Sequence, residues 1–388
     1  MNVKEKDAAY VAHTYKRFPV EIVDGKGSLV YDETGKEYVD LGTGIAANTF
    51  GVADEEWIEA VTRQLGKVQH TSNLYYHRPG ARLAELLCEK TGMKKVFFCN
   101  SGAEANECAI KTARRWAFRK TGDESRSTIV TLKNSFHGRT VTTLAATGQD
   151  SFHTEFGPFT PGFVYADPDC PEQLEELVKD GSCCAILMEL VQGEGGVTAL
   201  SREFVQEALR VAEAYDLLIV TDEVQTGNGR TGELYAWMHY GFRPDIMTTA
   251  KGLGGGLPIG ACLMGEKTED VLTAGSHGST FGANPACCAG AINVISRLDD
   301  GMLAGVRERA AYIREQLEGA PGVKSVTGMG LMIGIEPERA ASDIVAGCIE
   351  KGVLVLTAKT RVRLLPALNI PMDQLARGIR VLKEELAK

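Results

Sequence analysis

Positive charge in excess is what this chain most plainly lacks. Its 42 lysines and arginines stand against 51 aspartates and glutamates, a formal balance of −9. Nothing is left over to neutralise phosphates, which argues against a nucleic-acid partner. No apolar stretch reaches the length that spans a bilayer. The segment MNVKEKDAAYVAHTYKRFP at the start holds no signal-peptide core. The ten cysteines include the adjacent pairs Cys183-Cys184 and Cys287-Cys288 but no Cys-x-x-Cys, and the seven histidines are scattered singly. Without metal-ligand spacing no metal site is expected, and free thiols in a cytoplasmic, reducing setting are. Low-complexity segments, repeats and Pro/Ser linkers are missing as well, so any domain division must be non-contiguous. The glycines of GLGGG (Gly252 to Gly256) meet neither the dinucleotide fingerprint nor the P-loop spacing. They are expected to let backbone pass close to a bound cofactor.

What is present is an ordinary soluble composition, 44% apolar and 24% charged, over 388 residues. That length exceeds one ordinary core and favours two interlocked domains. KVFFCNS (Lys95 to Ser101), STIVTL, CAILMEL, LLIVTDE and GACLMG are short apolar runs bounded by turn signals. They read as strands of a sheet covered on both faces. AEANECAIKTARRWAFRK places Ala105, Ala109, Ala113, Trp116 and Ala117 on one helical face, and EFVQEALRVAEAY is a second amphipathic helix. This alternation predicts a mostly parallel, doubly covered α/β sheet. SLVYDETGKEYVDL predicts a hairpin around Glu33-Thr34-Gly35, and PMDQLARGIRVLKEELAK a closing helix. The expectation is a large domain over 51–294 and a small α+β domain from 1–50 plus 295–388.

One carboxylate and one lysine carry the chemistry. Asp222 closes the apolar run of LLIVTDEVQTG, and Lys251 closes that of IMTTAKGLGGG. Strand carboxyl ends are where α/β proteins hold ligands. An aspartate there can keep a ring nitrogen protonated, and a lysine amine there can condense with an aldehyde. Pyridoxal phosphate needs both. NSGAEANE (Asn100 to Glu107) is a strand end turning into a helix whose first amides make an anion site. Alone it is merely a capped helix, with Ser101 as cap and Glu104 as capping-box partner; beside Asp222 and Lys251 a phosphate is the better reading. In SFHGRT, Phe136 is suited to stack on a flat ring and Arg139 to grip a carboxylate, although taken alone a plain turn with one buried aromatic and one solvated arginine is the better reading. His137 alone reads as a satisfied polar residue. ELVQGEGG sets Glu189 and Glu194 around a loop, and Arg363 in RVRLLP is either an edge-strand charge or a second carboxylate clamp. HGSTFGANP offers Ser279 and Thr280 in a turn before a helix capped by Asn284, with Pro285 at its first position.

In this order NSGAEANE, FHGRT, QGEGG, TDEVQTG, TTAKGLGGGLPIG and HGSTFGANP resemble the class III (ornithine-type) aminotransferases, over nearly the whole chain. HTSNLYY (His70 to Tyr76) and LGTGIAAN (Leu41 to Asn48) lean toward the acetylornithine branch. The resemblance implies fold type I, pyridoxal 5′-phosphate as cofactor and a homodimer. It implies Lys251 on the cofactor aldehyde, Asp222 on the ring nitrogen and Gln225 on the ring hydroxyl. Val224 and Phe136 would sandwich the ring, with Glu189 and Glu223 in the same cofactor site. Ser101, Gly102 and Ala103 would hold the phosphate, with Thr280 reaching in from the second subunit. Arg139 would bind the α-carboxylate with Ser279 nearby, and Glu194 would pair with Arg363 until 2-oxoglutarate arrives. Ile45 would face the donor's α-nitrogen, favouring an acylated one. Val52 and Leu190 depart from the family's usual His and Pro. The implied reaction moves the terminal amine of N2-acetylornithine to 2-oxoglutarate. Ornithine, succinylornithine, 4-aminobutyrate or lysine-type donors, an aminomutase reaction, and a non-catalytic α/β module remain as alternatives.

Overall fold

A computed structural model describes residues 1–388. The chain first lays down β1 (Ile22–Lys26), β2 (Leu29–Asp32) and β3 (Glu37–Asp40). Tyr31 faces Glu37 across the predicted hairpin. The middle supplies β4 (Lys95–Cys99), β5 (Thr128–Leu132), β6 (Phe163–Ala166) and β7 (Cys183–Met188). A short ribbon, β8 (Val191–Gln192) with β9 (Thr198–Ala199), precedes β10 (Leu218–Asp222), β11 (Ile246–Thr249) and β12 (Gly260–Met264). The last quarter adds β13 (Val323–Met329), β14 (Met332–Pro337), β15 (Val353–Leu354), β16 (Leu356–Ala358) and β17 (Arg361–Leu364).

The seven middle strands form one sheet in the order β4-β12-β11-β10-β7-β5-β6. Only β12 runs against its neighbours β11 and β4; the other pairs are parallel. Two reversals cancel, so β4 points the same way as β11. The carboxyl ends of β4, β5, β7, β10 and β11 therefore share one edge. Strand residues alternate between two cores, as a period of two requires. Leu218 and Val220 join Ala109, Ala113 and Trp116 on one face. Ile219 and Met247 join Phe204 and Leu263 on the other. The alanine face of the helix Gly102–Thr121 is buried as predicted, its small side chains letting the helix lie close.

The chain ends build two four-stranded sheets, β1-β2-β3-β15 and β13-β14-β17-β16. Strand β15 from the C-terminal part lies parallel to β3 from the N-terminal part, which ties the two ends together. The closing helix Met372–Leu386 buries Leu375, Ile379, Leu382 and Leu386. All ten cysteines are free, and all but Cys88 and Cys170 are buried. No helix is long and apolar enough to cross a membrane.

Candidate active site

Five strand ends deliver the predicted groups to one cavity of about 460 Å³, a size typical of small-ligand sites. Ser101, Gly102, Ala103, Phe136, Arg139, Glu189, Asp222, Val224, Gln225 and Lys251 all line it. At its base Asp222 is buried and already accepts three hydrogen bonds. Asn106 Nδ2 (2.7 Å) and His137 Nδ1 (2.8 Å) donate to Oδ2, and the Val224 amide (3.0 Å) donates to Oδ1. A carboxylate only accepts, so His137 carries its proton on Nδ1; its Nε2 is buried without a partner. Asn106 is itself fixed, donating to the His137 carbonyl at 2.8 Å and accepting from Thr248 Oγ1 at 2.7 Å. Sequence reasoning passed over Asn106 and set His137 aside. The available signal was a polar residue on an otherwise alanine-rich buried helix face, which requires a partner. That partner lies 116 positions away.

Lys251 follows β11 with φ 46°, a left-handed conformation uncommon outside glycine. Burial depresses its ammonium pKa; Glu194 opposes that shift and Arg363 adds to it. Glu189 accepts from the Phe136 amide at 2.7 Å and the Gly193 amide at 3.2 Å, and burial lifts its carboxyl to about 7. Arg363 Nη1 donates to Glu194 Oε1 at 2.6 Å and to Gln225 Oε1 at 3.3 Å, so the expected pair is formed and linked to the cavity wall. Arg139 stands at the rim with no ion pair or hydrogen bond in the chain. Its guanidinium instead lies over the Phe152 ring.

At the start of the helix Gly102–Thr121, Ser101 Oγ accepts from the Glu104 amide at 3.2 Å, as predicted. The Glu104 carboxylate turns to the Asn100 amide at 2.8 Å rather than to the amide of Ser101, a variant of the expected box. The amides of Gly102 and Ala103, at the first two helical positions, have no intrahelical acceptor. A Cβ on Gly102 would stand 2.6 Å from Val224 Cγ1, so glycine lets the helix start close against Val224.

Other groups stand apart. Glu223 does not line the cavity; its carboxylate is taken by Thr226 Oγ1, the Ala236 amide and the Trp237 amide. Thr280 is exposed and lies with Ser279, His70 and Asn73 in a second cavity of about 800 Å³ that shares no residue with the first. Ser279 bridges the two by accepting from Asn100 Nδ2 at 3.2 Å. Ile45 is 41% exposed and outside the lining. It sits in a left-handed turn, Thr43 to Ala46, in which all four residues have positive φ. Of the GLGGG glycines only Gly256 borders the main cavity. A Cβ on Gly255 would meet Trp57 Nε1 at 2.7 Å, so that glycine makes room for a neighbouring element. Val52 lines a side cavity of about 230 Å³ that touches the main one at Gly256.

The profile of Aminotransferase class-III matches residues 10–386. An acetylornithine aminotransferase of Haemophilus ducreyi is 48% identical, covering 100% of this chain and 98% of its own. The chain belongs to the class-III aminotransferases. A succinylornithine transaminase of Citrobacter koseri is another class-III relative, 42% identical over 97% of this chain and 95% of its own. Among solved structures, an ornithine aminotransferase of Toxoplasma gondii superimposes with a TM-score of 0.94 at 32% identity, covering 99% of this chain and 93% of that one. That structure is described as holding pyridoxal phosphate at partial occupancy in its active site. Class-III aminotransferases work with this cofactor, and the cavity has the chemistry for it: a lysine, a braced carboxylate and free helix-start amides.

Proposed function

We propose that this chain transfers the terminal amine of N2-acetylornithine to 2-oxoglutarate, yielding N-acetylglutamate semialdehyde and glutamate, in the cytoplasm and as a step of arginine biosynthesis. The observation that carries the transfer is Lys251 and a triply bonded Asp222 on one cavity, with the unpaired Arg139 at its rim. When bound, pyridoxal 5′-phosphate supplies an aldehyde that takes up the amino group and a ring that absorbs the electrons released at the substrate carbon. Lys251 Nζ, its amine form favoured by burial, would take the proton from that carbon and deliver it to the cofactor carbon on the far side of the shared nitrogen. Asp222 would keep a proton on the ring nitrogen, with Asn106 and His137 bracing Asp222. Phe136 and Val224 would hold the ring, Gln225 its hydroxyl, and Ser101, Gly102 and Ala103 the phosphate. Glu189 lines the same site, whereas Glu223 supports it from behind through the Ala236 and Trp237 amides.

Arg139 clamps the donor's α-carboxylate with Ser279 nearby. While the donor reacts, Glu194 occupies Arg363; the acceptor's second carboxylate then takes that arginine over. Thr280 and its second cavity complete the phosphate site of a partner subunit in a homodimer. The donor's identity is supported by the Haemophilus relative's name; Ile45, exposed and outside the cavity lining, adds no contact to that reading. The Citrobacter relative makes succinylornithine the second reading. The test ranks kcat/KM for acetylornithine, succinylornithine, ornithine and 4-aminobutyrate with 2-oxoglutarate. Acetylornithine is expected to lead, with ornithine and 4-aminobutyrate at least about tenfold lower. Parity of either with acetylornithine sinks the donor assignment.

A further inference from the structure

Arg139 is an arginine without an anion, and what holds it is aromatic. Its guanidinium carbon lies 4.2 Å from the centroid of Phe152 and 5.5 Å from that of Phe136. The two rings meet edge to face at 5.8 Å, an arrangement favourable in itself. Phe136 lines the cavity and Phe152 does not, so Phe152 stands behind Arg139 rather than in the cavity wall.

The segment that presents Phe152 is stitched to the strand end that presents Phe136 and Arg139. The Asn134 amide donates to the Gly148 carbonyl at 2.7 Å, the Gly148 amide to Ser135 Oγ at 3.0 Å, and Gln149 Nε2 to the Ser135 carbonyl at 3.0 Å. Beyond Phe152, His153 Nε2 donates to the Leu144 carbonyl at 2.9 Å, on the helix Val141–Ala146 that follows Arg139. Phe152 is therefore fixed relative to Arg139 from both sides. A cation lying on a ring face keeps its planar fork free at the edges, where two parallel hydrogen bonds to a carboxylate form.

We propose that Phe152 is a positioning residue that pre-orients Arg139 for the α-carboxylate shared by donor and acceptor. The inference rests on the reading of Arg139 as that clamp. Without that aromatic face the long Arg139 side chain would lose rotamer freedom on each binding event.

The test uses the holoenzyme with Phe152→Leu, which keeps apolar bulk, and Phe152→Tyr, which keeps the aromatic face. Phe152→Leu should raise KM for acetylornithine and for 2-oxoglutarate roughly five- to thirtyfold with kcat little changed. Phe152→Tyr should restore both KM values. With 1,4-diaminobutane, an amine lacking any carboxylate, kcat/KM should match the unmodified enzyme. In an Arg139→Ala background, Phe152→Leu should add nothing further. A silent Phe152→Leu beside an Arg139→Ala that raises KM overturns this inference alone. Equal losses on 1,4-diaminobutane, or no rescue by tyrosine, assign Phe152 a merely structural role and also overturn it. Unchanged KM in Arg139→Ala removes the clamp and this inference together.

Discussion

At the carboxyl edge of the central sheet Asp222 accepts three hydrogen bonds from its own chain, whereas Thr280, in the turn from His277 to Pro285, is exposed and bonded to nothing. In the first region Asp222 and Glu189 are buried and each has partners that fix it, and the low dielectric there strengthens the charges they hold. The second is hydroxyl-bearing and open, with the exposed Leu74 in its cavity wall and the exposed Phe281 next in the chain. An edge that must hold a proton on a ring nitrogen is served by rigidity formed on folding. On the proposed dimer reading, a turn that meets a second copy has no reason to satisfy itself within one chain.

The largest way to break the buried side is Asp222→Ala. It leaves Asn106 and His137 without their acceptor and the ring nitrogen without its counter-charge. A loss of about 3–5 kcal/mol predicts a fall in kcat of roughly 150- to 5,000-fold. Steady-state rates with the cofactor saturating check it, and near-normal turnover removes Asp222 from the chemistry. The open side should break differently. Thr280→Val removes one hydroxyl with no partner in the chain, so the melting temperature of the cofactor-free protein should not move. Cofactor affinity should weaken roughly ten- to a hundredfold, the worth of one hydrogen bond to a charged group. Equilibrium titration of cofactor absorbance measures it; unchanged affinity separates Thr280 from the phosphate.

How far the sequence could be read follows the same division. Asp222, Lys251 and Ser101 were visible because each closes an apolar run or opens a helix, and such local signals need no partner. The alternation of strands and helices likewise exposed the sheet, since period-two and period-3.6 patterns are written residue by residue. Asn106 and His137 were not legible as the support of Asp222. Their meaning is a contact spanning 116 and 85 positions, created only when β5, β10 and the helix Gly102–Thr121 converge. Glu223 misled for the same reason. It neighbours Asp222 in sequence, but its carboxylate serves the amides of Ala236 and Trp237. The left-handed turn Thr43 to Ala46 was also hidden, because Ile and Thr rarely adopt positive φ and nothing local announces it.

The smallest expected effect sharpens the buried side of the comparison. Glu189 is held by two backbone amides yet burial lifts its carboxyl from 4.5 to about 7, with the Asp222 charge adding to the shift and His137 opposing it. In the unfolded chain this group ionises at its ordinary value. Its folded-state pKa is raised, so its contribution to stability is whole below pH 4.5 and is lost as pH climbs toward about 7. Glu189→Gln removes that loss, because a neutral amide resembles the protonated acid and never ionises. Melting of the cofactor-free protein at pH 5 and at pH 8 should therefore separate the two proteins differently. The variant should match or fall slightly below the unmodified chain at the lower pH, then gain on it by a few degrees at the higher. Parallel curves would show that Glu189 ionises as freely in the folded protein as in water, and that the edge of the sheet is wetter than its packing implies.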